Sequence, residues 1–306
     1  MTPRAPEPRT ETVCAILVTY RPDRGLPERI RRILPQVHGL IVVDNGSDAD
    51  DLEMLRELAA MHASITLKLN GANLGVARAL NIGIDHAEQQ HFAWVLLLDQ
   101  DSEVDANMVQ ALFAVYAAHP LRDQLAVIGA GFSDVNRESR QWREEPSSAA
   151  WVGVESAITS GSLIPLTVHR CVGPFRDEFF IDYVDSEYCF RARARGYRVI
   201  TTRRAVMSHA IGAASRHNIL GMSKWTTNHS PDRRYYIARN DTVMLREYGD
   251  YHFGLWALKS LSRSLRLCKR IVLYERMKRE KLTAVAQGWW DGIRGRLGPR
   301  DAEHAR

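Results

Sequence analysis

An α/β fold, with a doubly wound, mostly parallel sheet and helices on both faces, is predicted by two features of the sequence. Short β-branched apolar runs of the kind found in buried parallel strands alternate with segments of helical spacing, and polar residues concentrate where the runs end. With 306 residues and 45% hydrophobic content, the chain can bury a large core, and its length fits one elaborated α/β domain with an appendage.

The elements follow in order. VCAILVTY at 13–20 is the first strand, Leu26 to Val37 a short helix and LIVVD at 40–44 the second strand. A helix from about Asp50 to Met61 leads to ITLKLN at 65–70, and helical spacing over Leu74 to Glu88 precedes FAWVLLLD at 92–99, the most apolar strand. Val127 to Phe132 reads as a strand, Asn136 to Ala149 as a polar loop and Val199 to Met207 as a strand leading to Ser208-His209. Phe253 to Lys281 is helical by pattern, with Leu258, Leu261, Leu265, Cys268 and Val272 on one stripe. There is no internal repeat and no low-complexity linker.

Cys14, Cys171, Cys189 and Cys268 are scattered without a C-x-x-C pair, which points away from a zinc knuckle or disulfide framework and toward a reducing compartment. The first eleven residues carry no apolar targeting segment and read as disordered, and no run approaches a membrane span, so the expected location is cytoplasmic. The net charge of +5 is uneven: residues 259–306 hold thirteen Lys/Arg against five Asp/Glu. A basic tail on a mildly acidic body suits an anionic partner, a membrane surface or nucleic acid, or is a solvated helical face.

In doubly wound sheets, ligands sit outside the carboxyl ends of the strands. Those loops carry Thr19-Tyr20-Arg21, Asp44-Asn45-Gly46-Ser47, Asn70 to Asn73 and Asp99-Gln100-Asp101. The last ends a buried strand with two carboxylates, whose oxygens suit Mg²⁺ or Mn²⁺ beside a diphosphate, although Asp is equally at home in a capped turn. Asp44 and Asn45 suit a base or ribose, or a plain turn. Asn73, Gly75 and Arg78 lie at the start of a helix whose small residues admit either a ligand or a neighbouring strand. RRYYIARN at 233–240 offers Arg234 and Arg239 as a diphosphate clamp closed over by tyrosines, or a basic helix lying on the domain.

Taken in order, VTY at 18–20, VVDNGS at 42–47, NLGVARALNIG at 73–83, LLLDQDS at 96–102, SGSLI at 160–164, FFIDYVDSEYCFRARARGY at 179–197 and His209 resemble the nucleotide-sugar glycosyltransferases of glycosyltransferase family two, with the GT-A fold. The resemblance spans about residues 12–245 and is most similar in wording to bacterial rhamnosyltransferases that use dTDP-L-rhamnose. It implies a GT-A domain over 12–250, which leaves 251–306 as the basic amphipathic helical segment that charge and spacing predict. It also implies an inverting, metal-dependent transfer to a saccharide or lipid-linked glycan acceptor in cell-surface polysaccharide synthesis.

By the same resemblance Thr19, Tyr20, Arg21 and Asp44 line the nucleoside pocket, with Asn45, Asn73, Gly75, Arg78 and Gln100 also on the nucleotide-sugar side. Asp99 faces the donor, and Asp101 and His209 hold Mg²⁺ or Mn²⁺; a buried core histidine is the other reading of His209. Relatives carry an E-D pair after an F-F-x-x motif, and here the pair is Val184-Asp185, so the base role falls on Asp185. Ser160, Gly161, Asp182 and Glu187 are then acceptor-side residues. UDP-galactofuranose or a UDP-hexosamine is the alternative donor, and a nucleic-acid-binding module the alternative class, without the stacked aromatic motifs such modules use. The C-terminal helix either meets a membrane or packs on protein, including a second copy of the chain.

Overall fold

The computed structural model describes residues 6–134, 139–140, 150–209, 215–219, 222–226, 228–248 and 253–300. Two compact units form, one of Met1–Arg176 with Val184–Ala210 and the other of Asp177–Tyr183 with Ile211–Arg306. This division differs from the boundary expected near residue 250, because the segment from Ile211 and a seven-residue excursion, Asp177–Tyr183, both group with the C-terminal helices.

The first unit runs β1 (Val13–Thr19), α1 (Leu26–Ile33), β2 (Gly39–Asp44), α2 (Ala49–Met61), β3 (Ile65–Leu69), α3 (Val76–Gln89), β4 (Trp94–Asp99), β5 (Glu103–Val104), α4 (Met108–Ala118), β6 (Leu125–Asp134), β7 (Ser139–Arg140), β8 (Trp151–Gly153), β9 (Ser162–Pro165), α5 (Leu166–Val172), α6 (Val184–Ala194) and β10 (Arg198–His209). Among the described residues the sheet order is β3-β2-β1-β4-β9-β6-β10-β5, with β7 beside β6 and β8 beside β10. The pairs β1/β2, β1/β4, β2/β3 and β6/β10 are parallel, as continuous apolar runs buried on both faces predict. The sheet is nonetheless mixed, because β9 runs antiparallel between β4 and β6.

Val13–Ile16 and Trp94–Leu97 are fully buried, so β1 and β4 form the centre of the core. The first helix stops at Ile33 rather than Val37 and continues as a 3-10 turn over Leu34–Gln36. Pro35 has no N–H for the next helical hydrogen bond, which ends the α-helix there. The N-terminal segment is more ordered from Pro6 than expected: the Pro6 carbonyl accepts the Trp94 indole N–H at 3.1 Å, and Glu7 pairs with Arg122 at 2.8 Å. Residues 1–5 lie outside the described residues.

The second unit contains the antiparallel hairpin β11 (Ser215–Ile219) and β12 (Met222–Thr226), then α7 (Pro231–Tyr248), α8 (Phe253–Tyr274) and α9 (Lys278–Arg294). The helix expected over 253–281 is therefore two, broken where Met277 takes a left-handed φ of 54°. Ala238 on α7, Ile271 on α8 and Val285 on α9 form one buried cluster. α9 approaches α7 closely because Gly288 and Gly292 face it. A Cβ on Gly292 would lie 2.7 Å from the Arg239 carbonyl oxygen, and one on Gly288 would meet the Tyr235 carbonyl.

Candidate active site

The loops at the carboxyl ends of β1, β2 and β4 are built from their own polar side chains. Asp44 is 1% exposed and accepts the Thr19 hydroxyl at 3.1 Å, the Ser47 hydroxyl at 2.5 Å and the Gly46 and Ser47 amides at 3.0 and 2.9 Å. These four donors fill the acceptor positions of a carboxylate, so Asp44 shapes the loop, and a nucleoside that reaches it takes over one of those positions. Asn45 donates to Asn73 at 2.9 Å while its oxygen accepts from Asn70 and the Leu74 amide, and the Gly75 amide also donates to Asn73. The DNGS and NLG motifs are thus one interlocked pair of loops at the start of α3.

Gln100 grips the β1 loop at both backbone groups, accepting from Tyr20 N at 2.8 Å and donating to Tyr20 O at 3.1 Å. Arg29, which the sequence reading missed, donates from Nε to the Gln100 carbonyl at 2.7 Å and from Nη2 to Asp23 at 2.7 Å. The guanidinium holds the Asp23 carboxyl below its usual range. Nothing in the spacing of α1 separates Arg29 from the other basic residues of that helix; only its contact with a distant turn does. Beyond these anchors Tyr20, Arg21, Arg78 and Asp101 are exposed, and Arg21 takes a left-handed φ of 48° with its amide on the Ser47 hydroxyl. A ligand can meet these groups.

The turn after β4 is fixed from beneath. Ser160 is 1% exposed, accepts the Asp99 amide at 3.2 Å and shares a 2.5 Å hydrogen bond with the Ser102 hydroxyl. Gly161 exchanges backbone hydrogen bonds with Leu97 and Ala130. Ser160 and Gly161 therefore support the Asp99-Gln100-Asp101 turn rather than face an acceptor: the Ser160 hydroxyl is buried and turned into the protein, and the buried Gly161 backbone is bonded to Leu97 and Ala130. Immediately after the turn, β5 pairs antiparallel with the end of β10, with Ser208 opposite Glu103. Continuing that register sets the His209 backbone beside Ser102, next to Asp101. The side chain of His209 lies outside the described residues. Among the described residues no three His, Cys, Asp or Glu side chains converge as a metal cluster. The exposed carboxylate of Asp101, two residues after Asp99, is the hard oxygen chemistry that Mg²⁺ and Mn²⁺ take.

The FFIDYVDSEYC segment is strained. Phe180, Asp182 and Tyr183 all have φ near +60°, a conformation costly for residues with a side chain and found where function or tight packing demands it. Asp182 accepts from Nε and Nη2 of Arg233 at 3.1 Å, and burial pushes its carboxyl above the usual range although Arg233 opposes the shift. Asp185 stands in the first turn of α6, accepts the Ser186 amide at 2.7 Å, and lines a small cavity with Leu97, Thr159 and Cys189. Leu97 is two residues before Asp99, so Asp185 sits under the carboxyl end of β4. Glu187 is 1% exposed and is gripped by Nε and Nη2 of Arg191 at 2.9 Å. That buried ion pair corrects the expectation that Glu187 binds acceptor.

RRYYIARN is also corrected. Arg239 is fully buried and donates to the carbonyls of Glu178, Phe179 and Gly298 and to Asn240, leaving no face for a diphosphate. Asn240 donates to the carbonyls of Phe179, Ile181 and Asp182 at 2.8–3.0 Å. Arg234, 5% exposed, is paired with the buried Glu275, which also holds Lys281 at 2.9 Å. The tyrosines pack inward as well: Tyr236 stacks on Phe180 with centroids 5.0 Å apart, and Tyr235 donates to Asp291 at 2.8 Å. This motif clamps the strained 178–183 loop rather than a ligand. Arg233 and Asn240 were missed as its principal holders, because their partners lie more than fifty residues away.

Residues 14–176, more than half of the chain, match the model of Glycosyl transferase family 2, and the chain belongs to that family. It is a glycosyltransferase with an α/β fold of the GT-A type. It is 28% identical over 299 residues to dTDP-rhamnosyl transferase RfbF of Shigella flexneri, covering 94% of this chain and 97% of that one. It is 26% identical over 268 residues to galactofuranosyltransferase GlfT1 of Mycolicibacterium smegmatis, covering 78% and 85% respectively. The fold matches that of mannosyltransferase PcManGT from Pyrobaculum calidifontis, solved with GDP-Man and Mn²⁺, at a TM-score of 0.56 and 15% identity over 92% of this chain and 87% of that one.

Proposed function

We propose that this glycosyltransferase moves L-rhamnose from dTDP-β-L-rhamnose onto a saccharide acceptor of a bacterial cell-surface polysaccharide, with inversion at the anomeric carbon. The donor assignment is supported by the near full-length similarity to the Shigella flexneri dTDP-rhamnosyl transferase. The observation that carries the chemistry is the β5/β10 ladder, whose register brings the strand end bearing His209 to the turn bearing Asp101. In this reading Asp101 and His209 hold Mg²⁺ or Mn²⁺, and Asp99 faces the donor. When bound, the cation supplies charge neutralisation for the departing diphosphate.

The remaining chemistry belongs to the chain. The Tyr20, Arg21 and Arg78 side chains are exposed where a nucleotide can meet them, with the loops beneath them locked by Asp44, Asn45 and Gln100. The acceptor hydroxyl attacks from the face opposite the leaving group and passes its proton to the Asp185 carboxylate. Both oxygens of Asp182 already accept from Arg233, which leaves them less available to an acceptor hydroxyl. The galactofuranosyltransferase relative supports one rival donor, UDP-galactofuranose.

A donor panel read by nucleotide diphosphate release tests the assignment, with dTDP-rhamnose expected to give the fastest turnover in the presence of a saccharide acceptor. Turnover with a UDP-sugar but not with dTDP-rhamnose would reject it. Chelation and Asp101→Ala are each expected to abolish transfer with melting temperature unchanged; full activity in chelated enzyme removes the metal.

A further inference from the structure

The large apolar side chains left exposed are concentrated on the last two helices. Leu258, Leu265, Val272 and Leu273 on α8 are 48–68% exposed, and Trp290 and Ile293 on α9 are 53 and 63% exposed. On α8 the first three are spaced by seven residues, two helical turns, so they form one line along about 21 Å of helix. The opposite face is the packed one, with Ile271 fully buried and Leu267 and Cys268 against α7 and α9. Lys269, one turn beyond Leu265 on the same side of α8, is exposed as well.

Three further cations, Arg263, Arg266 and Arg270, converge on a cavity of about 360 Å³ beside this face, lined also by Tyr183, Asp241 and Trp289. Asp241 is already paired with Arg263 at 3.0 Å and accepts the Tyr183 hydroxyl at 2.7 Å. Arg266 and Arg270 reach the cavity from exposed positions. α8 carries five Lys and Arg and no Asp or Glu.

We propose that the outer face of α8 lies in the surface of an anionic phospholipid membrane, its leucine line among the acyl chains and the arginine-lined cavity receiving headgroup phosphates. No helix among the described residues is long and apolar enough to cross a membrane, so the contact is interfacial. Charge decides against a second copy of the chain on this face. An isologous pair would set this cationic helix against itself, and like charges in a dehydrated seam oppose association, whereas acidic lipid complements them. The inference does not depend on which sugar is transferred.

Flotation of the full-length protein with vesicles of phosphatidylglycerol and phosphatidylcholine, against phosphatidylcholine alone, tests it without reading activity. Binding is expected only with the anionic vesicles and is expected to weaken with salt. Leu265→Gln/Val272→Gln should lower it by tenfold or more. Arg266→Gln/Arg270→Gln should lower it by about fivefold per cation removed. Unchanged melting temperatures keep both variants interpretable, because all four side chains are exposed. Absence of flotation, or flotation indifferent to both variants, overturns the proposal. So does a dimer in sedimentation that Leu265→Gln/Val272→Gln dissociates, since the face then belongs to a second copy.

Discussion

The polar residues at the carboxyl ends of β1, β2 and β4 and those along α7 look alike in sequence, yet the protein uses them in opposite ways. Asp44, Asn45 and Gln100 are hydrogen-bonded within and between short surface loops, and Tyr20, Arg21, Arg78 and Asp101 remain exposed above them. Arg234, Arg239 and Asn240 are buried and bonded to carboxylates and carbonyls from remote parts of the chain. The strand-end residues thus hold one another and leave charged side chains exposed above them. A charged motif on a packed helix can instead hold another segment in a conformation it would not adopt alone.

The sharpest break between the two regions comes from substitutions that separate activity from folding. Asp185→Asn is expected to lower turnover by roughly 10² to 10⁴-fold while donor affinity survives, as removal of a positioned base does. Near wild-type turnover in that variant, with Asp182→Asn inactive, would move the base to Asp182. Glu275→Ala should do the reverse. It leaves Arg234 and Lys281 buried without their counter-charge and should cost about 3–5 kcal/mol in denaturant unfolding, a loss of fold before any specific loss of chemistry.

Asn240→Asp sharpens the comparison further. The replacement is isosteric but removes the donor and sets a carboxylate against the carbonyls of Phe179, Ile181 and Asp182, so the loss should exceed the roughly 1–3 kcal/mol of a neutral unsatisfied group. Faster amide exchange across residues 179–183, with the β4 turn unchanged, is the signature of loop positioning. Uniform loss of protection throughout would mean that Asn240 supports the whole helical unit instead.

The smallest expected effect is a pH dependence in the sheet-bearing unit. His169 is held down to about 4 by burial, with Arg191 and Arg170 adding to the shift, against 6.5 for a free imidazole. Between those values the unfolded chain binds the proton and the folded one does not, so stability falls as pH drops from about 6.5 toward 4. The loss by pH 5 should be about 2 kcal/mol, and His169→Phe should flatten it in melts compared at pH 7 and 5. An unaltered profile would show that the imidazole protonates without opening the core.

The succession of strands and helices through β4, and the polar loops at the strands' carboxyl ends, were legible in the sequence. Those features rest on local periodicity and on the polar residues that must follow a buried run. Roles were less legible than places. Ser160 reads as acceptor-facing until β9 is seen to run antiparallel beside β4, which turns the hydroxyl under the Asp99 turn. The α8 stripe is another case: helical spacing groups Leu258, Leu261, Leu265, Cys268 and Val272, but packing against α7 and α9 buries the side of Ile271 and leaves the Leu258-Leu265-Val272 line outside, the Leu261 side chain lying outside the described residues. Composition and spacing determine that a residue is apolar, charged or strand-forming, because those depend on the residue and its near neighbours. Which face is covered, and whether a guanidinium meets a ligand or a distant carbonyl, was decided only when the chain folded, because that depends on partners fifty and more residues away.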